Sequence, residues 1–276
     1  MSLASEKTQM ENEILNIISG GMTEPRMVII GCGGAGASIV GRMGEHFRGV
    51  PRIAINTDMT GLRLAEADRK ICIGKGITFK GDSGGFIEVA EKCAKLAQDD
   101  IRSCLISKDV AFIVAGFGGG TGTGIAPMVA DMAKGLDMVT FGICILPFSA
   151  ESSRREMAED SVEKLRQVTD STITLDNDAL LKFGEDVKLD KAFRIMDKMV
   201  VKIIKDVTDT MGRSYMAALA NEIIAYQSEM ELAPYGSAGF SDSDIATMVN
   251  APMTPMAYPQ PSDQNLVEMG GLFQRF

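Results

Sequence analysis

The chain has 276 residues, 45% hydrophobic and 24% charged, enough to bury a full core in one large domain without disulfide support. Its formal net charge of −9 sets up a field that repels nucleic acid and acidic membranes, so neither is expected as a partner. The five cysteines, Cys32, Cys72, Cys93, Cys104 and Cys144, are odd in number and never spaced C-x-x-C, which suits reduced thiols and a cytoplasmic setting.

In chain order, residues 1–22 read as a charged amphipathic helix and not as a signal peptide. Short β-rich runs follow at 27–31 (MVIIG), 52–56 (RIAIN), 70–73 (KICI), 109–116 (DVAFIVAG), 138–146 (MVTFGICIL) and 171–175 (STITL), separated by stretches such as 85–105 with apolar residues at helical spacing. The single histidine, His46, lies in a helix-like stretch and is expected as a surface or packed residue. Leu189, Phe193, Met196, Val200, Ile203, Val207 and Met211 repeat at steps of four and three, the seam of a long helix, and SYMAALANEIIAYQSEMEL reads as a helix after it. Beyond residue 232 come five of the nine prolines, which predicts a flexible tail. No apolar run approaches the ~20 residues needed to cross a bilayer, so no transmembrane segment is expected.

Strands apolar throughout and alternating with helices predict an α/β fold: a Rossmann-like, mostly parallel sheet with helices on both faces. A long central helix and a helical, then disordered, C-terminal extension would follow. The expected divisions are 1–22, 23–188, 189–232 and 233–276. Ligands in such sheets bind at the carboxyl ends of strands, and two glycine-rich segments stand there: GCGGAG, Gly31 to Gly36, and GFGGGTGTG, Gly116 to Gly124. Glycine permits positive φ and lets an oxyanion approach backbone N–H groups, and a helix start adds partial positive charge. Both segments therefore read as phosphate cradles. They carry no lysine, which leaves amides, the hydroxyls of Thr121 and Thr123, and a Mg²⁺ ion to meet the charge.

Three nucleotide classes compete for these cradles. Gly31, Gly33 and Gly36 satisfy G-x-G-x-x-G, and Asn56 and Asp58 stand where a dinucleotide site places its ribose-binding acid, so an NAD(P)-dependent oxidoreductase stays open. That class gives no reason for the denser second segment. A P-loop NTPase needs G-x-x-x-x-G-K-[ST], which the chain lacks. The third class is carried by a resemblance. GFGGGTGTG resembles the G-box of the tubulin/FtsZ family, and in order GCGGAGASIVGRM, AINTD, GDSGG, PFSAESSRR, DNDALL and LDKAFRIMDKMV resemble its successive nucleotide loops and the start of its central helix.

This resemblance implies GTP or GDP as ligand, with Mg²⁺ held through the phosphates. By position it implies that Gly33, Gly34, Gly118, Gly119, Gly120, Thr121, Gly122 and Thr123 surround the α- and β-phosphates, with Asp58, Gly84 and Gly85 toward the γ-phosphate. Glu151 and Arg155 would address the ribose and base edge, Asn177 the guanine, and Phe193 would stack on it. Asp197, one helical turn after Phe193, can accept from both N1–H and the N2 amino group of guanine, a donor pair adenine lacks. Where the family commonly carries paired asparagines the chain has Ala37 and Ser38, so only Ser38 keeps a hydrogen bond to the base.

The resemblance also implies self-assembly, or pairing with another tubulin/FtsZ-like protein, because in the family a neighbouring subunit completes hydrolysis through a loop of acids. Only 65 residues follow Met211, too few for the second domain that carries this loop. FSDSDIATM, 240–248, matches the loop faintly, and Asp242 and Asp244 read as a turn or helix cap, so no catalytic residue is assigned. The expected function is a weak or partner-dependent GTPase. A non-catalytic GTP-dependent switch or scaffold is the alternative and the oxidoreductase is third. The terminal NLVEMGGLFQRF is left open between a partner-gripping peptide and a disordered end.

Overall fold

A computed structural model of the chain describes residues 25–74, 83–182 and 189–232, and in the last helix the side chains of 191–214. The expected N-terminal helix, Gly81 and Asp82 of the GDSGG segment, and the proline-rich tail with Asp242, Asp244 and the terminal apolar island lie outside the described residues.

All six expected strands are present: β1 (Met27–Cys32), β2 (Arg52–Asn56), β3 (Arg69–Cys72), β4 (Val110–Gly116), β5 (Val139–Leu146) and β6 (Ser171–Asp176). They form one sheet in the order β3-β2-β1-β4-β5-β6, and every pairing is parallel. Central strands such as β4 are buried from Val110 to Ala115, as parallel strands covered on both faces must be. Alternate residues then serve opposite faces. Val28, Ile30, Ala111, Ile113 and Cys144 join one core with helices α3 (Ile87–Leu96), α4 (Gln98–Leu105), α5 (Gly120–Lys134) and α6 (Ser152–Val168). Ala54, on the other face, packs with Ala37 of α1 (Gly33–Arg42) and Leu62 of α2 (Met59–Leu64).

The helical stretch at 85–105 is two helices, because the chain turns at Ala97, whose N–H reaches back to the carbonyls of Cys93 and Ala94. A short α7 (Asp178–Leu181) follows β6. The last helix, α8 (Leu189–Leu232), runs unbroken for 44 residues where two in succession were expected. The chain divides into one compact unit ending at Ala217 and another from Ala218, of which the described part is the end of α8.

The ends of β6 and α6 are tied by a two-point ion pair: Arg155 donates to both oxygens of Asp176 at 2.9 and 2.7 Å, and also to Glu159 and the carbonyl of Pro147. The Arg155 hydrogen bonds hold the Asp176 carboxyl below its usual range. A depressed folded-state value means the stabilisation is complete above the unfolded value of about 4 and fades as pH falls toward the folded one. Asp176→Asn should therefore cost about 1 kcal/mol at pH 7, the pair being partly exposed. Urea midpoints of wild type and variant should draw together as pH falls below about 4.

Candidate functional site

In the order 3-2-1-4-5-6 the chain reverses its direction of travel across the sheet between β1 and β4, the kind of switch point where open parallel sheets form a crevice beyond the carboxyl ends of their strands. Cys32 pairs with Ala115 in register, so the two glycine segments leave the sheet side by side at one height. Gly33 enters α1 with φ of +73°, and a Cβ there would lie 2.6 Å from the backbone nitrogen of Gly122. The two segments thus touch backbone to backbone.

Close packing explains most of these glycines and fails for two. A Cβ would meet Gly36 O at 2.4 Å from Gly31, Val114 O at 2.3 Å from Gly36, and Gly116 O at 2.5 Å from Gly122. Gly118, at φ +82°, faces the carbonyl of Arg154, and Gly120 faces Ser83 and Gly85. By contrast Gly34 and Gly119 have ordinary φ and, among the described residues, nothing from elsewhere in the chain within 4 Å of where a side chain would begin. Both stand at helix starts, Gly34 in the first turn of α1 and Gly119 at the N-cap of α5. Among the described residues neither helix receives a side-chain cap, and neither has an acid in its first turn. Two sets of unclaimed N–H groups and two positive helix ends therefore face open space at the crevice, the arrangement an oxyanion needs. Cys32, the N-cap of α1, adds no negative charge, since burial pushes its thiol up to about 12.

Hydroxyls join the loops beneath. Thr121 Oγ1 lies 2.9 Å from Thr57 Oγ1 and 3.0 Å from Ser83 Oγ, and all three residues are buried. Three hydroxyls carry three protons and two suffice for these contacts, which leaves one to donate outward. Thr121→Val should leave Thr57 and Ser83 short of a partner and cost about 1–3 kcal/mol, read from thermal melts. Thr123 is turned to bracing: its Oγ1 accepts from the N–H of Gly118 at 3.0 Å. Asp58 caps α2, its two oxygens accepting from the N–H groups of Thr60 and Gly61, each at 2.8 Å. Gly84 and Gly85, both at positive φ, form the turn that abuts Gly120.

Toward β5 and β6, Glu151 accepts from the N–H of Phe148 and from Arg154, while Arg154 Nε donates to the carbonyl of Gly118 at 3.1 Å. Arg154, more than its neighbour Arg155, thus borders the second glycine segment. Arg155 is held in the Asp176 pair. Asn177 follows β6 with its N–H on Leu146 O at 3.3 Å, and its side chain makes no hydrogen bond among the described residues. On α8, Phe193 is 44% exposed, a large apolar ring left in solvent beside Asp197. The Asp197 carboxylate is joined by Arg42, with Nε to Oδ2 at 2.6 Å and a terminal nitrogen to Oδ1 at 2.8 Å. The other terminal nitrogen of Arg42 donates to Ser38 Oγ at 2.5 Å.

The structure therefore brings together the first segment, residues 57–58, the turn 83–86 and the second segment around one crevice, and gathers Ser38 with Asp197 at the end of α1. Thr57, Ser83, Arg42 and Arg154 are members the sequence reading passed over. Arg42 could have been found, since it stands one helical turn after Ser38 on the same face. Thr57 and Ser83 carry no such signal.

A family model described as "Tubulin/FtsZ family, GTPase domain" matches residues 26–185. Cell division protein FtsZ 2 of Halobacterium salinarum is 40% identical over 189 residues, covering 68% of this chain and 48% of the relative. Cell division protein FtsZ of Methanothermobacter thermautotrophicus is 36% identical over 220 residues, covering 79% and 57%. A solved structure titled "FtsZ dimer, empty", from M. jannaschii, superposes with a TM-score of 0.65 at 33% identity, covering 72% of this chain and 58% of that one. A GTPγS-bound protofilament of CetZ2 from Haloferax volcanii shares the fold, with a TM-score of 0.60 at 22% identity, covering 66% and 58%. The chain thus spans about half the length of the curated relatives it matches.

Proposed function

The chain belongs to the tubulin/FtsZ family, and from that premise we propose that it binds GTP and GDP in the crevice between the starts of α1 and α5. The observation that carries this reading is the pair Gly34 and Gly119, whose missing side chains serve no contact among the described residues and lie at two helix starts that no described side chain caps. The amides of both first turns hold the α- and β-phosphates, and Gly84 and Gly85 offer theirs to the γ-phosphate. Asp197 and Ser38 read the guanine edge, Phe193 covers its face, Asn177 reaches it from the end of β6, and Glu151 and Arg154 flank the ribose side. A Mg²⁺ ion would be bound through the phosphates themselves, meeting charge in two glycine segments that carry no lysine.

Hydrolysis needs a group that polarises water beside the γ-phosphate. Of the four loops at the crevice, the described residues include one carboxylate, Asp58, and both of its oxygens are engaged in capping α2. This supports a slow hydrolase that relies on a second protein, either another copy or another member of the family, to supply the acid. Lack of one partner in a preorganised site typically costs ~10²–10³ in rate. A fluorescent GTP analogue should be displaced by GTP and GDP and not by NAD⁺, and single-turnover hydrolysis should be slow at low protein concentration. Displacement by NAD⁺ would restore the dinucleotide reading, whereas turnover rising steeply with concentration would show that self-assembly completes the site.

A further inference from the structure

Arg42 spans both polar groups assigned to the base edge. Its guanidinium is planar and meets Asp197 with two parallel N–H donors at 2.6 and 2.8 Å, while its third nitrogen takes the oxygen of Ser38 at 2.5 Å. Guanine presents to a carboxylate a planar fork of the same kind, N1–H beside the N2 amino group. Two such forks cannot occupy one carboxylate edge together.

We infer that Arg42 is an affinity-setting residue of the base site, a built-in competitor that guanine must displace from Asp197 and Ser38. The inference rests on the guanine reading above. Arg42 comes from the last turn of α1 and Asp197 from α8, so the pair also ties those two elements together. Its side chain is 47% exposed and can swing into solvent when the base arrives, whereas Asp197, at 14%, stays in place. Base binding therefore exchanges one set of charge-assisted bonds for another, and only the difference appears as affinity. Adenine, with no fork to offer, has nothing to exchange and leaves the pair closed.

The test is equilibrium and stopped-flow binding of fluorescent GTP and ATP analogues to the full chain, wild type against Arg42→Ala and Arg42→Lys, with melting temperatures recorded to confirm folding. Arg42→Ala should bind GTP on the order of 2- to 5-fold tighter, with ATP unchanged. Arg42→Lys, which keeps the charge but not the fork, should fall between. The wild-type association rate should level off at high GTP, limited by release of Arg42, and that of Arg42→Ala should stay linear. Weaker or unchanged GTP binding in a folded variant overturns the inference and makes Arg42 a positioning or purely structural residue. If the wild type itself binds no guanine nucleotide, the parent reading fails first and the competitor with it.

Discussion

Gly34→Val and Gly119→Val are expected to remove GTP binding, by on the order of 100-fold or more each, while leaving the fold intact. The added side chains would enter open space, with nothing from other described parts of the chain within 4 Å of the first carbon, and both backbones have φ values any residue adopts. In the first turn of α1 a residue other than glycine even favours the folded chain, by up to ~1 kcal/mol for alanine. What is lost is the approach of phosphate oxygens to the amides, each such charge-assisted bond contributing about 1.5–3 kcal/mol. Gly36→Ala gives the contrast, since its Cβ would sit 2.3 Å from Val114 O and must displace backbone. Calorimetric titration beside thermal melts separates the two classes. Should both valine variants bind GTP within threefold of wild type, the phosphates do not lie over these amides.

The second large effect is expected at Asp197. Asp197→Ala should lower GTP affinity by about 100-fold and leave ATP untouched, so that the preference for guanine collapses. Two charge-assisted bonds would ordinarily cost more than this. The carboxylate is already satisfied by Arg42 before the base arrives, however, and the loss on substitution is reduced by that much. Asp197→Asn should shift preference toward xanthine, whose O2 can accept from the new amide while its N1–H still donates. Unchanged GTP binding in a folded Asp197→Ala would place the base elsewhere.

The strands were legible because each is a short apolar run between glycines or charges, and the alternation with helical stretches pointed to a parallel sheet. Their order was not legible, since neighbours such as β1 and β4 are separated by two other strands and several helices. Counting glycines marked the two segments that leave the sheet side by side. It could not separate Gly34 and Gly119, which face open space, from Gly33 and Gly122, which exist to let two distant segments touch. That distinction depends on a contact between residues far apart in sequence. Arg155 illustrates the limit from the other side: the resemblance implied it for the ribose, and only the fold shows that its guanidinium also pairs with Asp176 and that Arg154 is set against Gly118. Buried hydroxyls such as Thr57 and Ser83 follow no period, and only the folded loops reveal that they share Thr121.

The meeting of Gly33 with Gly122 has a genetic consequence. The neighbour that an added methyl at Gly33 would strike is main chain, and it belongs to a residue that already has nothing left to trim. No compensating replacement across that contact can restore the fit. Suppressors of a lesion at Gly33 should therefore arise elsewhere, in residues that let the whole of α5 slide, and never at its opposite number.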